Sequence, residues 1–80
     1  MARYGPVWLD IAAEQYTELP ADARAQVDAR VEQLLENPTR SGGAYDRRTD
    51  QWTTTYGAGA GLLVYAVVHE LGRIIILRLV

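Results

Sequence analysis

The sequence LLVYAVVHELGRIIILRLV, residues 62–80, decides the fold class. Two apolar runs, residues 62–69 and 73–80, flank the short segment 70–72, which ends in a glycine. β-Branched and aliphatic residues favour strands, and a glycine in a short connection favours a tight turn. The pattern therefore predicts an antiparallel hairpin in the second half of the chain.

Further strands are predicted before this hairpin. Residues 52–56, WTTTY, are β-branched and aromatic and predict a strand. The glycine-rich residues 57–61 connect it to the hairpin. Residues 45–47 are expected to form a short strand, and residues 48–50 a turn.

The first half of the chain has helical spacing. Apolar residues between positions 7 and 19 recur at three- and four-residue steps, which predicts a first helix that Pro20 ends. A second helix is expected to begin at Pro20, where the missing N–H costs nothing, and to stop at Asn37-Pro38. Its apolar stripe consists of Ala23, Val27, Val31, Leu34 and Leu35. Residues 4–8 predict a short strand that Pro6 confines to a sheet edge.

These elements predict one α+β domain over residues 1–80. Its order is β-α-α followed by a three- to four-stranded, mainly antiparallel sheet with the helices packed on one sheet face. The chain has no cysteine and one histidine, so we expect neither a disulfide framework nor a histidine metal centre, and no cofactor. Residues 1–6 lack the apolar region of a secretory signal, and no apolar run is long enough to span a bilayer, so a cytoplasmic location is expected.

The charge distribution gives only weak support for nucleic-acid binding. Residues 1–40 contain four arginines and seven acidic residues, and residues 41–80 contain four arginines and three acidic residues. Nucleic-acid-binding proteins usually carry a basic patch that neutralises phosphates. Here such a patch is at most modest, and it lies in the second half.

Short motifs spread over residues 7–80 resemble the RelE/ParE superfamily of type II toxins. They are Ala12-Ala13, Leu19-Pro20, Leu35 with Asn37-Pro38, and the strand entry from Gly59 to Tyr65. The resemblance implies a bacterial toxin paired with a protein antitoxin. RelE-like members of the family cut mRNA in the ribosomal A site, whereas ParE-like members inhibit DNA gyrase.

The sequence departs from the ribonucleases of this family in its catalytic strand. Gly61 stands where the family has Tyr, and Leu62 stands where it has an Arg on its catalytic face. The His or Arg and the Tyr that usually follow the last strand have no counterpart after Arg78. RNA cleavage through the 2′-OH needs a proton acceptor, a proton donor and cationic stabilisation. The remaining candidates are Arg47, Arg48 and Arg78 for phosphate charge, and Tyr56 or His69 for proton transfer.

Each candidate also has a structural interpretation. His69 could be a solvated turn residue, and the Arg47-Arg48 pair could be solvated or could pair with nearby aspartates. Arg78 could lay its aliphatic stem over the sheet or face a partner. Tyr56 shares a strand face with Trp52, and both rings are either core or base-stacking residues.

One face of the hairpin is predicted to be open and apolar. The resemblance places Leu63 and Tyr65 against the helices and Leu62 on the other side. The expected open side then consists of Leu62, Val64, Ala66, Val68, Ile74, Ile76 and Val80, with Arg78 as its only charge. An apolar surface is more often covered by protein than by RNA. We therefore expect it to bind an antitoxin segment or a second copy of the chain.

Three functions are compatible with the sequence. The first is a toxin that cleaves mRNA on the ribosome or inhibits translation, neutralised by an antitoxin encoded beside it. The second is a non-catalytic member of the same fold that uses its sheet for protein binding. The third is a gyrase inhibitor.

Overall fold

The computed structural model describes residues 3–80. The expectation that residues 1–6 are not a secretory signal includes Met1 and Ala2, which lie outside the described residues. The elements in chain order are β1 (Gly5–Trp8), α1 (Asp10–Thr17), α2 (Ala21–Glu36), β2 (Ala44–Asp46), β3 (Gln51–Tyr56), β4 (Gly61–Val68), a 3₁₀ turn (His69–Leu71) and β5 (Arg73–Leu79). No helix in this part of the chain is long and apolar enough to cross a membrane.

The strands form one mixed sheet in the order β1-β5-β4-β3-β2. β1 runs parallel to β5, and the other neighbours are antiparallel. The predicted C-terminal hairpin is confirmed, with Gly72 in the left-handed conformation that its turn requires (φ +62°). The sheet has five strands, not the three or four predicted, because β1 returns to pair at the edge beside β5.

The helices differ from the prediction mainly at the start of α1. It begins at Asp10 and not at position 7, because Val7 and Trp8 pair with Ile75 and Ile76 in the sheet. α2 follows Pro20, which occupies its N-cap, and ends at Glu36 as predicted. Pro38 disfavours the helical conformation of the preceding residue, Asn37, which is extended (φ −152°, ψ 80°), so the helix does not continue.

The core lies between the helices and one face of the sheet. The predicted stripe of α2 is confirmed, since Val27, Val31, Leu34 and Leu35 are buried. Tyr65 is fully buried at the centre of the sheet, and its hydroxyl donates a hydrogen bond of 2.7 Å to the backbone carbonyl of Pro38. This bond ties the end of α2 to β4.

Burial of Tyr65 predicts a loss of stability in alkali. Desolvation raises the pKa of its phenol above the ordinary 10.0, with a smaller opposing effect from Arg30. Because the unfolded chain ionises first, the free energy of unfolding is expected to fall as the pH rises above about 10. Tyr65→Phe is expected to be less stable near neutrality by about 1 kcal/mol and to lose less stability in alkali. Urea titrations across this pH range would test this, and an unchanged alkaline slope in the variant would contradict it.

Candidate functional site

The strands carry a sheet face that points away from the helices. On β4, Leu63 and Tyr65 are buried in the helix-side core, as expected. Side chains alternate along a strand, so Leu62, Val64 and Ala66 lie on the opposite face. Val64 is nevertheless buried, because it is flanked by Thr53 on β3 and Arg78 on β5. Leu62, at the strand end, is 41% exposed.

A bulge in β5 changes the predicted membership of this face. Arg78 pairs with Val64 and Ile76 pairs with Tyr65, which leaves Leu77 without a direct partner on β4. Directly paired residues share a face, so Arg78 lies on the open side and Ile76 on the helix side.

The assignment of Ile74 and Ile76 to the open side is therefore wrong. Both are fully buried in the helix-side core, and Ile74 pairs there with Val67. If side chains alternated without interruption along β5, Ile74 and Ile76 would share a face with Arg78. The extra residue, Leu77, places them on the opposite face. Ile75 takes their place on the open side, opposite Ala66.

The corrected surface, called the open face below, spans three strands. Leu62 and Val80 exchange backbone hydrogen bonds of 3.1 and 2.8 Å, which places both side chains at one end. Val80 is 68% exposed. At the edge strand, Val7 is exposed and pairs with Ile75. The open face comprises Val7, Leu62, Val64, Ala66, Val68, Ile75 and Val80, together with Arg73 and Arg78.

Two arginines give the open face a positive charge. Arg78 lies beside Val64, and Arg73 is paired with Val68 and Gly5. Gly5 leaves room for this arginine, because a Cβ there would lie 2.6 Å from one of its guanidinium nitrogens. Within residues 3–80 neither guanidinium makes a hydrogen bond or an ion pair. Both therefore remain available to an acidic group.

The five predicted catalytic residues do not converge. Arg47 and Arg48 lie in the turn between β2 and β3, and His69 follows β4 at the same end of the sheet. Tyr56 is paired with Gly61 at the other end, roughly 25 Å from His69, and Arg78 is paired with Val64, roughly 15 Å from His69 along the sheet. These two are also on opposite faces, since Tyr56 belongs to the helix-side core. The structure assembles no five-residue catalytic centre from them.

The contacts of Arg48 and His69 bear on whether these candidates have a structural or a catalytic role. The carboxylate of Asp46 accepts a 2.9 Å hydrogen bond from the backbone N–H of Arg48 and lies 3.9 Å from its side chain. This agrees with the structural interpretation of Arg48. His69 is exposed, and its Nδ1 lies 2.9 Å from the hydroxyl of Tyr4. Sequence reasoning missed Tyr4 as its partner, since 64 residues separate the two in the chain.

A cleft lies at the end of the sheet that carries His69. Tyr45 and Trp52 stand on neighbouring strands with ring centroids 5.0 Å apart. Together with Asp50, His69 and Glu70, they line a cleft of about 410 Å³, called the end cleft below. Trp52 is only half-buried, so its ring serves both the core and the cleft.

Comparisons with known proteins identify the fold. No protein-family model matches the chain, and no curated protein matches it significantly in sequence. Among solved structures, a chain of the RelBE2 toxin–antitoxin complex of Mycobacterium tuberculosis superposes with a TM-score of 0.86 at 24% identity, covering 100% of this chain and 92% of that one. The isolated Escherichia coli RelE toxin gives 0.83 at 18% identity, covering 95% and 81%.

An archaeal structure completes the comparison. A chain of the RelE–RelB complex of Pyrococcus horikoshii gives a TM-score of 0.74 at 16% identity and covers 96% of this chain and 92% of that one. The element order, the sheet and the placement of both helices on one side thus recur across nearly the whole length of the chain. The chain has the fold of the RelE toxins.

Proposed function

We propose that this chain is the toxin component of a RelE-type toxin–antitoxin pair, directed at translation and neutralised by a protein antitoxin that covers the open face. The observation that carries the proposal is an apolar, positively charged sheet face on a RelE fold. Solved structures of this fold include RelE in complex with the RelB antitoxin. A cytoplasmic location, where ribosomes are found, belongs to the same proposal.

The apolar area of the open face favours a protein cover. Leu62, Val80 and Val7 are large apolar side chains that remain substantially exposed. Fully burying such a side chain contributes about 1.5–3 kcal/mol, so covering these three partly exposed ones would contribute about 3–4 kcal/mol before association costs. The free guanidinium groups of Arg73 and Arg78 favour an acidic segment. An antitoxin strand or helix with apolar and acidic residues would match both properties.

Action on mRNA would depend on Arg78 more than on the other candidates. It is exposed, it lies on the open face, and it makes no ion pair within the described residues. A guanidinium in this position can stabilise the charge that develops on a phosphate. Ribosome-dependent cleavage would place the scissile phosphate here.

This gives a testable expectation for toxicity. When the chain is expressed alone from an inducible promoter, translation in the host is expected to stop, and Arg78→Ala is expected to weaken the inhibition at least about tenfold. Arg40→Ala, in an exposed loop position away from the open face, is the matched control and is expected to remain fully active. Incorporation of labelled amino acid measures the effect. Equal inhibition by Arg78→Ala would remove this residue from the site.

A second candidate function is inhibition by binding alone, without cleavage. The dispersal of Arg47, Arg48, Tyr56, His69 and Arg78 over two ends and two faces of the sheet favours it. Mapping of mRNA ends after induction distinguishes the two. Codon-phased cuts indicate cleavage, and a translation block with intact mRNA indicates binding alone. Intact translation with DNA damage would indicate a gyrase-directed inhibitor instead.

A further inference from the structure

The end cleft is built mainly from side chains outside the core and the open face, although Trp52 also packs against the core and Val68 also belongs to the open face. Tyr45 comes from β2 and Trp52 from β3, while His69 and Glu70 follow β4. Asp50 closes the cleft from the turn that precedes β3. The cleft is therefore a product of strand pairing, and at about 410 Å³ it has room for one amino-acid side chain and its backbone.

The charged walls of the cleft are acidic. The Asp50 carboxylate accepts a 2.7 Å hydrogen bond from the Tyr45 hydroxyl through Oδ1, which raises the pKa of that phenol. Asp50 is held in a left-handed backbone conformation (φ +55°) that aspartate and asparagine tolerate. Glu70 is a second acidic residue in the lining, next to His69 in the chain. The adjacent Arg48 does not neutralise these acids, because its side chain approaches Asp46.

The aromatic side of the cleft exposes the ring of Tyr45, while the ring of Trp52 also stacks on the buried Tyr65 at a centroid distance of 6.2 Å. Tyr45 is 49% exposed, and its ring is tilted by 44° from that of Trp52. The two ring centroids are 5.0 Å apart, and Val67 and Val68 add apolar lining to the cleft. The faces of aromatic rings attract cations, and tryptophan does so most strongly. Aromatic faces and carboxylates therefore converge on the same space.

We propose that the end cleft binds an arginine side chain of a partner protein. A guanidinium is planar, stacks on aromatic rings and can donate hydrogen bonds to two carboxylates at once, whereas an ammonium group is compact and more strongly hydrated. The occupant is thus a basic segment of a protein. A nucleotide base would also stack on Tyr45 and Trp52, but its phosphate would meet the carboxylates of Asp50 and Glu70. This site adjoins the open face at Val68, and the inference does not depend on the proposed toxin activity.

The indole N–H signals of the two tryptophans in the proton NMR spectrum provide the test. Trp8→Phe and Trp52→Phe assign the signals, and the intact chain is titrated with the peptide acetyl-Gly-Arg-Gly-amide. A saturable shift of the Trp52 signal is expected, with the Trp8 signal unchanged, since Trp8 contacts Tyr16 at another part of the molecule. The matched peptide with Gln in place of Arg is expected to produce no saturable shift.

Two conservative variants test the acidic walls. Asp50→Asn keeps an acceptor for the Tyr45 hydroxyl and tolerates the backbone conformation, so it removes only the charge. It is expected to weaken binding of the arginine peptide at least about fivefold. Glu70→Gln, at an exposed position, is also expected to weaken binding of the arginine peptide. It provides the test if Asp50→Asn fails to fold. Circular dichroism checks the fold of each variant.

Several results would overturn the proposal. Equal shifts with the Gln peptide would show that the positive charge is not recognised. Unchanged affinity in a folded Asp50→Asn or Glu70→Gln variant would show that the carboxylates take no part. Saturable binding of uridine monophosphate without binding of the arginine peptide would assign the cleft to a nucleobase instead.

Discussion

Leu63→Ala is expected to lower the free energy of unfolding by about 3–5 kcal/mol. Leu63 is fully buried on the helix side of the central strand β4, between Thr54 and Leu79 on the neighbouring strands. Three carbon atoms, one methine and two methyl groups, would be lost from a site enclosed by sheet and helices, so the cavity can collapse only in part. A domain of 80 residues has a stability of about 5–10 kcal/mol, and the loss would therefore be a large share of it.

The adjacent residue provides the matched control. Leu62→Ala makes the same chemical change one position away, but Leu62 points to the open face and is 41% exposed. This substitution is expected to lower the free energy of unfolding by less than about 1 kcal/mol. Urea denaturation followed by circular dichroism measures both variants. Equal costs for Leu62→Ala and Leu63→Ala would contradict the division of β4 into an open and a helix-side face.

The comparison of β4 with β5 shows how far the sequence could predict the sheet. Alternation placed Leu63 and Tyr65 on the same face, and both are in the core. The same argument failed in β5, where Leu77 is an extra residue and the faces of Ile76 and Arg78 separate. A run of aliphatic residues such as residues 74–77 contains no polar position that would reveal a bulge. Only the pairing with β4 fixes it.

The candidate site was less predictable than the fold, because its contacts join distant parts of the chain. The contact of Tyr4 with His69 depends on β1 lying beside β5, and the end cleft depends on the pairing of β2 with β3. Strand propensity predicts that these strands exist but does not give their order. The unequal charge of the two halves of the chain likewise did not show that Arg73 shares the open face with Arg78.

Leu62→Asp is expected to weaken binding of the antitoxin at least about 100-fold. The partner would bury this position against apolar side chains, and an aspartate there would lose its hydration without gaining a compensating partner. The fold should persist, because Leu62 is exposed at the start of β4 and lies outside the core. Isothermal titration calorimetry with the protein encoded beside this gene measures the affinity.

Leu71→Asp is the matched control for this loss. Leu71 is 71% exposed in the 3₁₀ turn, at the end of β4 opposite Leu62. The Leu71→Asp substitution introduces the same charge at another exposed leucine. It is expected to leave the affinity for the antitoxin within about threefold of that of the unchanged chain. If both variants lose affinity equally, the effect comes from the charge of the chain and not from the open face.

The most direct measurement of the central claim is a methyl NMR titration of the chain with the protein encoded beside its gene. Binding is expected to shift the methyl signals of Leu62, Val64 and Val80, which lie on the open face, and to leave those of the core residues Val27 and Leu34 nearly unchanged. Shifts confined to Leu9 and Ile11, the exposed apolar residues at the start of α1, would contradict the account, because they would place the partner on a different surface.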